Sequence, residues 1–355
     1  MQSRSAVPGN PSSSGTATLP DVVFFGSGAF GLPVLRMLAE AGRVALVVSQ
    51  PDRVAGRGKH ITPTPVSEFA LEHGLPLVRP EDCNSHVDSE LIRTAAAAAV
   101  DRAARDGRAQ PGAVFVVIAF GQKMSPELLS DVFSINLHGS LLPRWRGAAP
   151  IQRALMEGDP VAGVSVIALA ERMDAGVVYA EEPLAIGPSQ TSGELHDALA
   201  LLGPDVVASV LHMWRRGDIN ARAQDETRAT RARKLSKADA WVDLSIDASN
   251  VRARINGLNP WPGCAVQIDG VPMQVRRCEV IAAGAASTDS AADTGALPGA
   301  GTLTPDGILT CGTGAVRILE VQAAGGRILP FAAWAHGARL IAPVQVTSAP
   351  PSAEL

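Results

Sequence analysis

Short apolar runs alternate with longer amphipathic stretches along the first part of the chain. The segments VVFF (22–25), VALVVSQ (44–50) and AVFVVIAF (113–120) have the length and β-branched content of buried strands. Between them, LPVLRMLAEAG and the alanine-rich segment 89–108 have helical patterns. AVFVVIAF is apolar throughout, as expected of a parallel strand that is covered on both faces. This alternation predicts an α/β fold with a Rossmann-like, doubly wound and mostly parallel sheet.

The alternation continues to about residue 217 and then gives way to a different pattern. SINLH (134–138), GVSVIAL and VVYAEEPLAI read as further strands, and residues 191–217 as a long helix that opens with a Ser/Thr cap and a glutamate. From about residue 218 the apolar pieces are short, as in VRARI (251–255) and CAVQIDGVPMQVRRCEVI. The turn signals IDG, PDG and GTG separate them. This second pattern predicts a small antiparallel, OB-like β-barrel.

These patterns divide the chain into five parts. Residues 1–20 are rich in Ser, Pro and Gly and predict a disordered extension, with no apolar segment of the secretory kind. The α/β domain is expected over 21–217, a basic linker over 218–240, the barrel over 241–345 and a tail over 346–355. A low-complexity loop at 282–301 interrupts the barrel. No apolar run is long enough to cross a membrane.

Charge and cysteine content narrow the functional classes. The 355-residue chain has a net charge of −4, which does not indicate a nucleic-acid binder. However, residues 228–237 (RATRARKLSK) are rich in arginine and lysine and contain no acidic residue. They are either a solvated linker or a strip that contacts phosphates. The four cysteines are scattered without CxxC spacing, which argues against zinc and a disulfide framework and fits a reducing cytoplasm.

A glycine motif follows the first predicted strand. Gly26, Gly28 and Gly31 spell GxGxxG, and Asp52 follows the next strand, as in dinucleotide-binding folds. Two features weaken that interpretation: Pro33 at the start of the helix caps it without indicating a phosphate, and Asp52 lies within the Gly/Arg loop QPDRVAGRGKH. The alternative is a tight turn between strand and helix.

A second candidate site lies at the end of the strand SINLH. Asn136 and His138 are two residues apart, so their side chains share one face of the strand. The amide can stabilise an oxyanion, and the imidazole can transfer a proton near neutral pH. Asp174, in the turn RMDAG, is the candidate carboxylate to orient the imidazole. Ser140 lacks the flanking GxSxG of a nucleophile, so the trio predicts direct acyl transfer to an external amine.

The stretch NLHGSLLPRWRGAAPIQRAL resembles the signature of the 10-formyltetrahydrofolate-dependent formyltransferases. The resemblance runs from about residue 22 to 321 and includes VVIAFGQKM, MDAG, TSGELHDALALLGP and QDET. QPDR-AGRGK (50–59), KLSK and NPWPG are similar to the members that act on initiator tRNA. One departure is Gly26-Ser27-Gly28-Ala29, which replaces the Gly-Thr-Pro-like start after the first strand and affects the expected fit of the aminoacyl end.

The resemblance implies an enzyme that transfers a formyl group from 10-formyltetrahydrofolate to the α-amino group of methionyl-initiator tRNA, for translation initiation. It implies no metal and no membrane partner, and we expect a cytoplasmic monomer. It assigns catalysis to Asn136, His138 and Asp174. The implied folate-binding residues are Ser140, Leu141, Leu142 and Pro143, and the implied tRNA-binding residues are Arg57, Lys59, Lys234 and Lys237.

Three alternatives remain at this level. The acceptor could be an amino sugar nucleotide or another small amine, on the same fold. The GxGxxG motif would instead fit a nicotinamide-dependent dehydrogenase, and the barrel alone would fit a non-catalytic RNA-binding protein. Arg144 and Arg146, beside the Leu-Leu-Pro turn, are either anion-binding groups or ordinary surface cations.

Overall fold

The computed structural model describes residues 19–55, 60–281 and 299–350. Most of the predicted extension (1–20) and of the low-complexity loop (282–301) lies outside these ranges, as do Arg57 and Lys59. Leu19, which the sequence placed in the extension, is described and is buried.

Three strands of the α/β region begin at residues 22, 44 and 113, where the apolar runs predict them, and the strand predicted over 134–138 begins two residues earlier. The strands of this region are β1 (Val22–Gly26), β2 (Val44–Val48), β3 (Arg53–Ala55), β4 (His60–Thr62), β5 (Leu77–Val78), β6 (Ala113–Ile118), β7 (Val132–His138), β8 (Arg146–Gly147), β9 (Val161–Ala168) and β10 (Val178–Ala185). Seven of them form one sheet in the order β10-β9-β7-β6-β1-β2-β5. The pairs from β5 to β7 are parallel, and β9 runs antiparallel to β7. The predicted Rossmann-like, mostly parallel sheet is confirmed.

Four of the six helices described in this region begin at a side chain that accepts a hydrogen bond from a free backbone N–H group. The six helices are α1 (Leu32–Glu40), α2 (Pro65–Glu72), α3 (His86–Arg105), α4 (Pro126–Leu129), α5 (Pro150–Met156) and α6 (Ser192–Arg216). The Ser85 hydroxyl accepts from the Asp88 N–H and starts α3 earlier than predicted. Before α6, Thr191 and Glu194 exchange hydrogen bonds as the capping box that the sequence indicated.

The buried core around the central strands packs against β7 and fixes its position. Residues 114–118 of β6 are all buried, and Phe25 makes edge contacts with Phe115 and Phe120 at centroid distances of 4.9 and 5.3 Å. Gly203 of α6 allows close packing, because a Cβ there would lie 2.9 Å from side-chain atoms of Leu137 and Val34. Strand β7 is therefore fixed by its neighbours in the sheet and by α6.

The C-terminal region is a closed antiparallel barrel with two helices. Its strands are β12 (Cys264–Ile268), β13 (Val271–Val280), β14 (Thr302–Leu303), β15 (Ile308–Thr310), β16 (Ala315–Ala323), β17 (Ile328–Pro330) and β18 (Val344–Thr347), preceded by the linker strand β11 (Arg231–Ala232). Pairing of β13 with β16 closes six of them, in the order β13-β12-β18-β14-β15-β16. Asp269 and Gly270 have φ values of 49° and 76°, as a tight hairpin turn requires. The predicted barrel is confirmed.

One predicted strand of this region is wrong. VRARI (251–255) lies in the helix α7 (Ala248–Gly257), whose first N–H groups are accepted by the carboxylate of Asp247. Val251, Ala253 and Ile255 are buried with partly exposed residues between them, so the burial alternates as it would in a strand. The alternation is compatible with a helix because α7 packs against both the barrel and α5. A second helix, α8 (Phe331–Gly337), is not indicated by any pattern noted in the sequence.

The chain folds as two compact units, each assembled from several segments. Of the described residues, the first contains those within 19–138, 164–182 and 200–224, and the second contains those within 139–163, 183–199 and 225–350. The strand end with Asn136 and His138 and the turn with Asp174 therefore belong to the first unit. The signature segment from residue 139 onward shares the second unit with residues 225–240 of the linker and with the barrel.

Neither a metal-binding cluster nor a membrane-spanning helix is found among the described residues. No group of three or more His, Cys, Asp and Glu residues there could hold a metal ion. No helix within those ranges has the length and apolar character needed to cross a membrane. The four cysteines are free and buried, and burial raises the pKa of the Cys83, Cys264 and Cys311 thiols to about 11, 12 and 11.

Candidate active site

The end of β7 presents the predicted amide and imidazole. Asn136 is paired with Val117 of β6 on one side and Ile167 of β9 on the other, and His138 is paired with Ser165. His138 is only 6% exposed, whereas Asn136 is half-buried. Within residues 19–55, 60–281 and 299–350, no hydrogen bond engages the Asn136 side chain. An amide in this state remains available to an incoming oxygen atom.

The carboxylate of Asp174 lies beside His138. Its Oδ2 is 3.6 Å from His138 Nδ1, and its side chain is 12% exposed. This distance exceeds that of a strong hydrogen bond, but it makes the carboxylate a direct neighbour of the imidazole. Nδ1 is the ring nitrogen that faces the carboxylate. His138 and Asp174, which were expected to meet, are thus adjacent in the structure.

Backbone contacts fix the turn that carries Asp174. Asp174 has a φ of 53°, a left-handed conformation that aspartate tolerates better than most residues. The Gln224 side-chain amide donates to the carbonyls of Asp174 and Gly176, at 2.8 and 2.7 Å. A Cβ on Gly176 would lie 1.9 Å from the carbonyl oxygen of Ala168, at the end of β9. The turn thus depends on a glycine at 176 and on the amide of Gln224.

We expect Gly176→Ala to lower kcat/KM by about 10²-fold, the effect of displacing a reactive group by about 1 Å. The added methyl cannot fit against Ala168, so the turn must shift and carry Asp174 away from His138. Overpacking should also lower the free energy of unfolding by about 1–3 kcal/mol. The measurements are steady-state kinetics and thermal unfolding. Gly112→Ala is the matched control, because a Cβ there meets no atom within 4 Å; full activity of Gly176→Ala would contradict the role given to the turn.

Gln224 was not identified as a site residue from the sequence. It lies in QDET, which entered only as part of the family resemblance. The position of that motif within the predicted linker says nothing about a partner 48 or 50 residues earlier in the chain.

The predicted folate residues form the turn that follows residue 139. Ser140 is 2% exposed, and its hydroxyl donates to the carbonyl of Arg144 at 2.7 Å. Leu142 and Pro143 are buried, and the peptide bond between them is cis. Leu141 is half-buried. Of the four, Leu141 therefore has the most surface to offer, and the Ser140 hydroxyl is engaged within the turn.

A cavity of about 200 Å³ lies against this turn. Among the residues that line it are Ser140, Leu141, Arg144, Trp145 and Asp159. Its volume is below the roughly 300–1,000 Å³ of ordinary ligand pockets. Taken alone, the cavity can hold a fragment of a folate and not the whole molecule.

The two arginines beside the turn have carboxylate partners. Arg144 pairs with Asp159 at 2.7 Å and stacks over Trp145. Arg146 is 9% exposed and makes a bidentate pair with Glu226 at 2.9 and 3.1 Å. Arg146 is therefore not the ordinary surface cation that one of the two sequence interpretations allowed. Both cations contribute to holding the segment around the turn.

The basic strip, residues 228–237, has its cations on the outside. Lys234 and Lys237 are exposed, whereas Ala232 and Leu235 are 1% and 6% exposed. Neither lysine has a salt bridge within the part of the chain that the structure describes. Arg57 and Lys59, the other predicted tRNA contacts, lie outside the described residues.

The GxGxxG glycines have a packing explanation. A Cβ on Gly26 would lie 2.7 Å from the ring of Phe24, and one on Gly31 would lie 3.1 Å from the same ring. Asp52 forms a salt bridge with Arg79. These contacts favour the interpretation as a tight turn between β1 and the following helix.

Comparison with known proteins identifies the family. A family model described as formyl transferase matches residues 21–211, and one described as formyl transferase, C-terminal domain, matches residues 234–339. The methionyl-tRNA formyltransferase of Neisseria meningitidis serogroup B is 37% identical over 322 residues, which cover 89% of this chain and 96% of the relative. The chain belongs to the methionyl-tRNA formyltransferase family. A second member, from Heliobacterium modesticaldum, is 36% identical over 327 residues and covers 90% and 97% of the two chains.

One solved structure with low sequence identity is similar in fold. The N-formyltransferase from Helicobacter canadensis, in complex with folinic acid and dTDP-3-aminofucose, aligns with a TM-score of 0.58. The alignment covers 86% of this chain and 99% of that chain, at 10% sequence identity. At this identity the likeness shows the fold alone. The two methionyl-tRNA formyltransferases above match this chain in both sequence and length.

Proposed function

We propose that this chain transfers the formyl group of 10-formyltetrahydrofolate to the α-amino group of methionyl-initiator tRNA, and that Asn136, His138 and Asp174 carry out the transfer. The observation that carries the residue assignment is the end of β7, where an amide without a partner among the described residues shares a face with a His–Asp pair. The family membership supports the two substrates.

The reaction is a direct acyl transfer to nitrogen. The uncharged α-amine of the methionyl ester attacks the formyl carbon, and the carbonyl oxygen becomes an oxyanion to which the Asn136 amide donates. His138 takes a proton from the attacking nitrogen, and Asp174 stabilises the imidazolium. Collapse of the intermediate breaks the bond to the folate nitrogen, which receives a proton from His138. The formyl-methionyl product and tetrahydrofolate result, with no covalent enzyme intermediate and no metal in the scheme.

The remaining parts of the chain bind the two substrates in this proposal. In this proposal the turn at residues 140–143 forms one wall for the folate, with Leu141 as its most accessible side chain. The linker at 218–240 and the barrel at 241–345 bind the tRNA, and the catalytic domain comprises residues 21–217. The expectations of a monomer and of a cytoplasmic location belong to the same proposal, the latter supported by four free, buried thiols.

The deciding experiment compares acceptors with one folate donor. The purified protein is given 10-formyltetrahydrofolate with either methionyl-initiator tRNA or a dTDP-amino sugar, the acceptor class of the alternative reaction. We expect formyl transfer to the tRNA, detected as formylmethionine after hydrolysis of the ester. Transfer to the sugar nucleotide alone would contradict the proposal.

The exposed lysines of the basic strip should contribute to tRNA binding through charge. We expect Lys234→Ala combined with Lys237→Ala to raise KM for tRNA about three- to tenfold, since an exposed ion pair contributes on the order of 0.2–1 kcal/mol. The slope of log KM against log salt should fall by roughly 1 per lysine. The KM for folate should not change. Arg105→Ala, which removes an exposed cation of α3, is the control, and an unchanged salt slope in the double variant would exclude both lysines from phosphate contact.

A further inference from the structure

The linker is tied by hydrogen bonds to the turn proposed to hold the folate. Thr230, within the basic strip, makes three of them, to the last residue of that turn and to two residues that follow it. Its N–H donates to the Pro143 carbonyl at 3.3 Å, and its carbonyl accepts from the Arg146 N–H at 2.9 Å. Its hydroxyl accepts from the Trp145 N–H at 2.9 Å. One linker residue thus contacts the backbone at positions 143, 145 and 146.

The backbone conformation at Trp145 needs this support. Trp145 has a φ of 63°, in the left-handed region that non-glycine residues rarely adopt. Such a conformation persists only where the surroundings hold it. The Thr230 hydroxyl meets the Trp145 N–H, and Asp159 accepts from the indole N–H at 2.7 Å. Trp145 is two residues from Pro143, so its conformation helps to set where the turn lies.

The attachment continues along the strip. Strand β11 pairs with β8, and the Ala232 carbonyl accepts from the N–H groups of Ala148 and Ala149 at 2.9 and 3.3 Å. A Cβ on Gly147 would lie 2.7 Å from the same carbonyl, so the glycine permits this approach. Just before the strip, Glu226 holds Arg146. The strip cannot move relative to residues 143–149 without breaking these contacts.

The outer side of the same strip carries the charge. All of its cations are exposed, and none of them forms a salt bridge within the described ranges. These cations are Arg228, Arg231, Arg233, Lys234 and Lys237. A polyanion that bound them would restrain the strip, and through Thr230 it would restrain the turn. Restraint by a first ligand lowers the ordering cost for a second ligand, which makes the two bind cooperatively.

We propose that Thr230 is a positioning residue that couples the two substrate sites, so that tRNA on the basic strip tightens folate binding at the turn, and folate tightens tRNA binding by the same factor. This inference rests on the proposed function, because it takes tRNA and folate as the two ligands. The reciprocity follows from thermodynamic linkage.

The test measures 5-formyltetrahydrofolate binding by calorimetry, without tRNA and with saturating uncharged initiator tRNA. For the unmodified protein we expect tRNA to tighten binding at least about fivefold, the lower end of ordinary allosteric coupling. Thr230→Val removes the hydroxyl but keeps the branched shape, and it should abolish most of this factor. Thr230→Ser restores the hydroxyl and should restore the coupling, which a loss of packing alone would not explain. In steady state, Thr230→Val should raise KM for folate measured at saturating tRNA while kcat changes little.

The linker offers a matched control. Thr227 is also a linker threonine, but its hydroxyl donates to Asp225 within the linker itself. Thr227→Val should therefore leave the coupling factor unchanged. Glu226→Gln weakens the contact between Glu226 and Arg146, and we expect it to reduce the coupling factor in part. It provides a second variant if Thr230→Val does not fold.

Two results would overturn the coupling. One is equal folate affinity with and without tRNA in an unmodified protein that formylates methionyl-tRNA, which would leave the proposed function intact. The other is a Thr230→Val protein with the unmodified coupling factor. Failure of the unmodified protein to bind or formylate the tRNA would instead contradict the proposed function, and the coupling with it.

Discussion

Asn136→Asp should reduce kcat for formyl transfer by about 10²–10³-fold, equivalent to about 3–4 kcal/mol of activation free energy. The substitution replaces the proposed oxyanion donor with an anion of nearly the same shape. The new carboxylate would lie on the strand face that His138 shares, and it would repel the charge that develops on the formyl oxygen. The KM values should change less than kcat, because the interaction is made chiefly in the transition state.

Folding should be nearly unaffected by Asn136→Asp. The residue is half-buried, and no hydrogen bond among the described residues depends on its side chain. We therefore expect a change of about 0.5 kcal/mol or less in the free energy of unfolding. Asn220→Asp, at an exposed position after α6, introduces the same charge away from the site and should keep full activity. Near-normal turnover of Asn136→Asp would show that Asn136 is structural and that the mechanism is wrong.

His138→Gln should reduce kcat by about 10²–10⁴-fold, the usual contribution of general acid–base catalysis. Glutamine can still donate a hydrogen bond toward Asp174, but it cannot accept the proton of the attacking amine. Single-turnover formyl transfer with both substrates saturating measures the chemical step directly. We expect the rate of that step to fall while the binding of 5-formyltetrahydrofolate changes little.

A second His–Asp pair in the chain provides the control for this substitution. His196 Nδ1 lies 2.9 Å from Asp197 Oδ1 on the surface of α6, with the imidazole 31% exposed. His196→Gln removes a comparable pair outside the site and should leave turnover unchanged. If His138→Gln retained the unmodified rate of formyl transfer, proton transfer would have to be assigned to another group.

The site could be predicted as far as it depends on local geometry and on resemblance. Asn136 and His138 share a strand face because the side chains of a strand alternate, and this holds wherever the strand lies. Asp174 was a candidate because it follows a strand in the turn MDAG. Its distance of 3.6 Å from His138 depends on the antiparallel pairing of β7 with β9, which no local pattern contains.

The second region shows where local patterns mislead. Residues 251–255 alternate apolar and charged side chains and were predicted as a strand, yet they form part of α7. Two features make this segment helical: the carboxylate of Asp247 caps α7, and packing surfaces cover the helix on both sides. The packing surfaces exist only once the barrel has folded, so the local pattern cannot reveal them. The pairing of β13 with β16 also depends on the folded barrel, because the paired residues are about 40 positions apart in the chain.

The sequence by itself determined the two-part architecture, the apolar strands of the sheet, the hairpin at Asp269 and Gly270, and the candidate trio, because each depends on side-chain period, turn chemistry or a motif a few residues long. The tertiary structure alone decided that Gln224 fixes the turn of Asp174, that Arg146 is held by Glu226, and that Thr230 ties the linker to residues 143–146. These contacts join residues roughly 50 to 90 positions apart, and hydrogen bonds of that kind leave no periodic trace in the sequence.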